Sequence, residues 1–288
     1  MAPAAWSRDL DDPWIGWERQ FTYVARISKR LHRRQFDVIH DHTGPTGVLL
    51  ALLSDAAPTV VHTIHLPVPE PRHSFYREVD DRVRIVALSK SHASSLSGLR
   101  IAGVVHNAVD IEALAIGTAP DDYLLEINRI APEKGQHLAI EVSRRSGRRL
   151  ILAGKVGAYE EARRYFQEMI DPHLGSTVDY LGNVQGAQKA TLIKQAAAGI
   201  FPIQWSEPFG LGMAECMASG TPAIALDRGA SAEIIEQGVT GYVAGDIDEL
   251  VSAVGRLDQI DREKCAIVAR DRFSPRRMAQ EYLEIYLG

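Results

Sequence analysis

Apolar residues along this chain follow two rhythms. Trp14, Trp17, Phe21, Val24, Ile27 and Leu31 recur at spacings of three and four, which predicts one amphipathic helix with a single apolar stripe. Asp12 and Pro13 ahead of it are a start signal, a capping carboxylate followed by a residue whose missing N–H costs nothing in the first turn. The rhythm then changes. "FDVIHDH", "PTVVHTIH", "RIVALS" and "IAGVVHNAVD" are short and apolar nearly throughout, as strands buried on both faces are. Helical "TGPTGVLLALLSD" and "KSHASSLSG" lie between them.

A polar stretch with Gly and Pro, "GTAPDD" at 117–122, predicts a linker, after which the alternation restarts. Strands are expected at "YLLEINRI", "RRLILAGK", "TVDYLGN", "AGIFPI", "TPAIAL" and "GYVAG", with helices "GQHLAIEVSRRS", "EEARRYFQEMI", "AQKATLIKQA", "LGMAECMAS" and "SAEIIEQ" between them. Such alternation predicts an α/β protein with a complete doubly wound parallel sheet in its second half and a thinner one in its first. The last segments read as helical, with Ser274 and Pro275 as cap and first-turn pair.

Composition narrows the setting without naming a function. With 45% hydrophobic and 24% charged residues the chain is an ordinary globular protein, and its net charge of −5 gives no pull toward nucleic acid. Cys216 and Cys265 lack CxxC partners, so neither a disulfide framework nor a zinc knuckle is expected, and a reducing, cytoplasmic location fits. No apolar run is long enough for a signal peptide or a membrane span. The basic end of the first helix, "SKRLHRR", leaves peripheral contact with a membrane open, although cations facing a helix C-terminus already account for it.

Ligands of doubly wound sheets bind beyond the carboxyl ends of the strands, so the residues just after each strand carry the chemistry. Arg129 and Lys134 in "NRIAPEKG" follow one strand and precede a helix, a placement suited to an anion. "WSEPFGLGMAE" sets Glu207 and Glu215 on either side of a glycine turn, where Phe209, Gly210 and Leu211 offer backbone amides at a helix start. His40, His42, His62 and His65 fall at the ends of two neighbouring strands; with only Asp41 beside them, a metal site is not expected.

"RIAPEKG", then "SEPFGLGMAECMASGTPAIA", then "GASAEIIEQGVTGYV" together resemble the donor-binding half of retaining glycosyltransferases of the GT-B fold, family 4; the two glutamates match that family's E-x7-E pattern. The resemblance runs from about Asp37 to the C-terminus. It implies two Rossmann-like domains facing a cleft: an acceptor-side domain at 1–118, a donor-binding domain at 119–265, and a closing helix at 266–288 that crosses back. It also implies a hexosyltransferase-like activity with a nucleoside-diphosphate sugar as donor, a hydroxyl acceptor, no metal or other cofactor, and retention of anomeric configuration. By the same likeness Arg129 and Lys134 take the donor diphosphate, Glu215 the ribose, and Glu207 the hydroxyls of the transferred sugar. The amides after Phe209 hold the sugar or its phosphate, His65 contacts the donor sugar as part of the catalytic set, and His42 faces the acceptor.

Three departures from the family pattern stand out. Ala108 replaces a glycine in "HNAVD" near the expected hinge, and Glu126 and Asn128 occupy places usually held by an apolar residue and glycine. Asn128 is accordingly expected beside the diphosphate. No glycine loop precedes Gly44, so the N-terminal domain is expected to be shortened, with transfer dependent on self-association or on a partner chain that completes the acceptor side. The alternative activity is that of a catalytically silent nucleotide-sugar-binding subunit.

Overall fold

Short strands apolar on both faces are satisfied by parallel pairing under helices on each side. The computed structural model, which describes residues 13–31, 35–53, 58–68, 70–117 and 120–288, contains two such parallel sheets. The chain divides into two compact units: residues up to His106 together with Ala279–Gly288, and Asn107–Met278.

The first unit holds β1 (Val38–Asp41), β2 (Thr59–Thr63), β3 (Arg84–Ala87) and β4 (Ile101–Val104) in the order β1-β2-β3-β4. Around them lie α1 (Pro13–Leu31), α2 (Pro45–Leu53), α3 (Glu70–Arg77) and α4 (Lys90–Ser95). The core joins Val48 and Ala51 of α2 to Val60, Ile64, Ile85 and Leu96. Asp12 lies outside the described residues, as do the side chains of Trp14 and Trp17. Of the expected stripe on α1, Leu31 is buried and Val24 and Ile27 are half-buried, but Phe21 is 55% exposed. The main packing partner of α1 is a single helix, α2, which covers only part of that face. Helix α3 was not legible from apolar spacing, because its polar sequence presents few apolar anchors; buried Tyr76, its ring stacked 5.5 Å from that of His62, is one of them.

The second unit holds β5 (Tyr123–Ile127), β6 (Arg149–Ala153), β7 (Val178–Tyr180), β8 (Ala198–Phe201), β9 (Ala223–Leu226) and β10 (Gly241–Ala244), ordered β10-β9-β8-β5-β6-β7. Its helices are α5 (Gln136–Ser146), α6 (Glu160–Tyr165), α7 (Gly186–Gln195), α8 (Leu211–Ala218), α9 (Ser231–Ile234), α10 (Ile247–Val254) and α11 (Arg262–Arg272). Every residue of β5, β8 and β9 is buried, as expected of central strands covered on both faces. Within this sheet the chain starts at β5, winds outward through β6 and β7, then returns to β8 on the other side of β5. The topological switch point therefore lies between β5 and β8.

Helix α12 (Pro275–Leu287) opens where expected, with Ser274 Oγ accepting from the Arg277 amide at 3.2 Å. Its last residues belong to the first unit, where Arg84 donates to the Tyr286 carbonyl at 3.0 Å and Tyr282 Oη lies 2.9 Å from Thr63 Oγ1. Among the described residues no helix is long and apolar enough to cross a membrane.

Candidate active site

The loops that leave β5 and β8 diverge at the switch point and are tied to each other. The Gln204 amide donates to the Glu133 carbonyl at 2.9 Å, and the Gln204 side chain to the Pro132 carbonyl at 3.3 Å. This brings Lys134, from a short 3-10 turn after β5, against Glu207 on the loop after β8. Lys134 Nζ donates to Glu207 Oε2, which also accepts the Trp205 indole N–H at 2.8 Å. The Lys134 ammonium lies 5.0 Å from the centre of the Trp205 ring. Both charged side chains are nearly enclosed, at 11% and 13% exposure, so their attraction is weakly screened.

Arg129 stands in the same loop but in different surroundings. It is half exposed, pairs with Glu133 one turn on, and lies over the Tyr159 ring at 5.8 Å. Lys134 and Arg129 thus offer a sheltered and a solvent-facing cation on one loop. Asn128 does not extend freely beside them: its amide donates to Glu126 Oε1 at 2.8 Å.

On the other loop, Gly210 adopts φ +93° and its carbonyl accepts from the Met213 and Ala214 amides, opening α8. A left-handed residue there requires glycine, and it leaves the amides at the start of α8, at Leu211 and Gly212, without partners inside the helix. Phe209 is buried and packs edge-on to Phe273 at 5.6 Å, so its side chain belongs to the core while its backbone leads the turn. Glu215, within α8, accepts from Lys189 of α7 at 2.6 Å.

Two supporting residues escaped sequence reasoning. Trp205 holds the Glu207 carboxylate, and its signal was only an aromatic residue two positions ahead of the glutamate. Gly229, at φ +58°, passes so close to the Glu207 backbone that an added Cβ would sit 2.3 Å from its nitrogen. The Ala230 amide then donates to the Glu207 carbonyl at 2.9 Å.

In the first unit, parallel pairing sets Asp41 opposite His62 and gathers the four histidines. Asp41 accepts from Thr43 Oγ1 at 2.6 Å, from the Thr43 and Gly44 amides, and from His62 Nδ1 at 2.8 Å. Burial opposes ionisation, but the His62 and Thr43 bonds hold the Asp41 carboxyl below its usual range. His42 Nδ1 and His65 Nε2 lie 2.8 Å apart and share one hydrogen. His40 contacts Tyr286 Oη at 2.7 Å and Thr63 Oγ1 at 2.8 Å. Burial, reinforced by neighbouring imidazoles, lowers the pKa of His40 to about 3 and that of His65 to about 4; burial also lowers that of His42. All three are neutral near pH 7. Among the described residues no group of three or more His, Cys, Asp or Glu side chains is arranged to hold a metal ion.

These features can be set beside known proteins. Residues 111–271 match the family described as Glycosyl transferases group 1, and residues 12–113 match Glycosyltransferase Family 4. The chain is 27% identical to the D-inositol 3-phosphate glycosyltransferase of Mycobacterium avium, over 82% of this chain and 64% of that one. It spans about two thirds of the length of the curated relatives it matches. Among solved structures it is similar to AviGT4, a glycosyltransferase involved in avilamycin A biosynthesis, with TM-score 0.72 and 25% identity over 91% of this chain and 77% of that chain. It also resembles Anabaena HepE in complex with UDP and glucose, with TM-score 0.76 and 19% identity, covering 91% and 80%. A match over more than half of its length, a six-stranded doubly wound sheet in one unit and a four-stranded parallel one in the other, and GT-B glycosyltransferases as structural neighbours lead to one conclusion: the chain belongs to the group 1 glycosyl transferase family and has the GT-B fold.

Proposed function

We propose that the protein transfers a sugar from a nucleoside-diphosphate sugar to an acceptor hydroxyl, with retention of anomeric configuration and without a metal. The observation that carries this is the meeting of Lys134 and Glu207 across the β5/β8 switch point, beside the start of α8. A cation sheltered from water and a helix N-terminus together favour a diphosphate. A carboxylate held by an indole N–H at the same spot suits sugar hydroxyls. The HepE complex with UDP and glucose supports a donor of this class.

In this mechanism Lys134, Arg129 and the amides that follow Phe209 stabilise charge on the departing diphosphate, where electrostatic preorganisation contributes most. The acceptor oxygen attacks C1 from the face the diphosphate leaves, the C1–O bond to phosphate breaks, and the leaving phosphate oxygen takes the acceptor proton. Glu207 orients the sugar, and Glu215 takes the ribose once Lys189 releases it or shares it. Family likeness assigns His65 to the donor sugar and His42 to the acceptor, and both are neutral imidazoles able to donate one hydrogen bond and accept another.

Incubation with a panel of nucleotide sugars and hydroxyl acceptors, including cyclitols as the relatives' names suggest, tests the proposal by mass spectrometry, with the product anomer read by NMR. Glu207→Ala should fold and lose roughly a hundredfold in turnover, as expected when a positioning contact is removed. Full activity in that variant removes Glu207 from the mechanism, and an inverted anomer overturns retention. Nucleoside diphosphate binding without transfer to any acceptor makes the chain a binding subunit.

A further inference from the structure

Glu126 is a carboxyl group one residue from the carboxyl end of β5, the strand beside the switch point, and none of it reaches solvent. A buried carboxyl group is among the costliest residues a sheet core can carry unless its oxygens are satisfied. Here both are. Oε1 accepts from Asn128 Nδ2 at 2.8 Å and Oε2 from Gln136 Nε2 at 3.2 Å. Gln136 also donates to the Arg129 carbonyl at 3.1 Å and accepts from the Ala131 amide at 3.3 Å. The two partners of Glu126 therefore stand at the two ends of residues 128–136, the segment that carries Arg129 and Lys134.

We propose that Glu126 is a positioning residue of the donor site: its buried carboxyl group clamps both ends of the loop and so holds Arg129 and Lys134 where a diphosphate engages them. This rests on the assignment of the donor site above. Glu126 touches no substrate and acts through Asn128, Gln136 and the charge of Lys134.

The groups facing it are Asn128 and Lys134 from the loop, Gln136 from the start of α5, and Tyr165 from α6, whose hydroxyl lies 3.0 Å from the His137 amide and 2.9 Å from His137 Nδ1. Burial raises the Glu126 carboxyl to about 7, while hydrogen bonds from Asn128 and Gln136 and the Lys134 charge pull the other way. Near neutral pH it is divided between acid and carboxylate. A diphosphate brought to Lys134 weakens the attraction that favours the carboxylate, so Glu126 takes up a fraction of a proton from solvent. The proton goes to a carboxyl oxygen, and rotation of the Asn128 amide turns its carbonyl to accept the new O–H, which keeps the clamp closed in both states.

Calorimetric titration of UDP, with uridine as control, into wild type and Glu126→Gln at pH 7 in two buffers of different ionisation enthalpy tests this. GDP and ADP replace UDP if it does not bind. Wild type is expected to show more proton uptake than Glu126→Gln, which stands in for the protonated acid that diphosphate binding favours and should bind UDP at least as tightly as wild type. Asn128→Ala, which opens one end of the clamp, is expected to bind UDP about fivefold more weakly with uridine unchanged. Proton uptake equal in wild type and Glu126→Gln overturns the proposal, and so does UDP affinity in Asn128→Ala equal to that of wild type. Equal losses for UDP and uridine overturn it too, because the whole site would then have been disturbed. If circular dichroism shows Glu126→Gln unfolded, Asn128→Ala at its half-buried position decides alone, by its UDP affinity set against its uridine affinity. Wild type that binds no nucleoside diphosphate overturns the donor-site assignment itself, an outcome visible before any variant is compared.

Discussion

Glu207→Gln should tighten binding of UDP while it slows transfer. The substitution keeps the shape of the side chain and an oxygen to accept the Trp205 indole N–H, which Glu207 now accepts at 2.8 Å. It removes the charge that occupies Lys134. Two unit charges about 4 Å apart attract by about 4 kcal/mol at an effective dielectric constant near 20, most of it offset by desolvation. If a third of that is recovered when Lys134 turns to a diphosphate, affinity rises by roughly 1.4 kcal/mol, about tenfold. Relief of repulsion between the carboxylate and the diphosphate acts in the same direction. Isothermal titration of UDP and uridine into both proteins measures the change, and product formation measured in parallel should fall in the variant. UDP binding no tighter than in wild type, or a matching change for uridine, would refute the idea that Glu207 competes for Lys134.

Three further outcomes follow from the geometry. Gly229→Ala places a Cβ 2.3 Å from the Glu207 nitrogen at φ +58°, so thermal melts should show a loss of roughly 1–3 kcal/mol with transfer reduced in step; wild-type activity in this variant argues that Gly229 does not support the site. Arg262 binds the Gly117, Ala196, Ala197 and Lys194 carbonyls and Thr221 Oγ1 at 2.6–3.3 Å; Arg262→Ala should cost about 3–5 kcal/mol in urea unfolding because buried carbonyls lose their donor, and a loss under about 1 kcal/mol contradicts this. The two units should respond oppositely to acid. His40 and His65 have folded pKa values lowered from 6.5 to about 3 and 4, so the stability they lend is present above pH 6.5 and is lost as pH falls toward those values, by at most about 1.4 kcal/mol per pH unit each and less for solvent-facing His65. Glu126 is raised from 4.5 to about 7, so its share is fully present below pH 4.5 and is lost as pH rises through 7. Hydrogen exchange resolved by segment between pH 7 and 5 should show the β1–β2 region opening more easily and the β5 region less; parallel changes would contradict both assignments.

Much of the fold was open to sequence reasoning because it depends on local pattern. Apolar runs of four or five residues announce strands buried on both faces, and spacings of three and four announce helices; both signals lie within one element and survive without knowledge of its neighbours. The glycine turn and its two glutamates, and the Arg129–Lys134 loop, were equally local, and their likeness to a known family supplied the class of reaction. What the sequence left undetermined was which groups meet. Lys134 and Glu207 are 73 residues apart, and they touch because β8 returns to lie beside β5, an order set by how the whole sheet winds. That contact separates Lys134 from Arg129, which had looked alike as a pair of cations and are instead one sheltered and one exposed. Glu126 and Asn128 appeared in the sequence as two departures from a pattern; in space they are one hydrogen-bonded unit completed by Gln136. Charge and spacing along a chain can be read before it folds, whereas burial, and with it the strength of every charge and hydrogen bond, exists only once distant segments exclude water from one another.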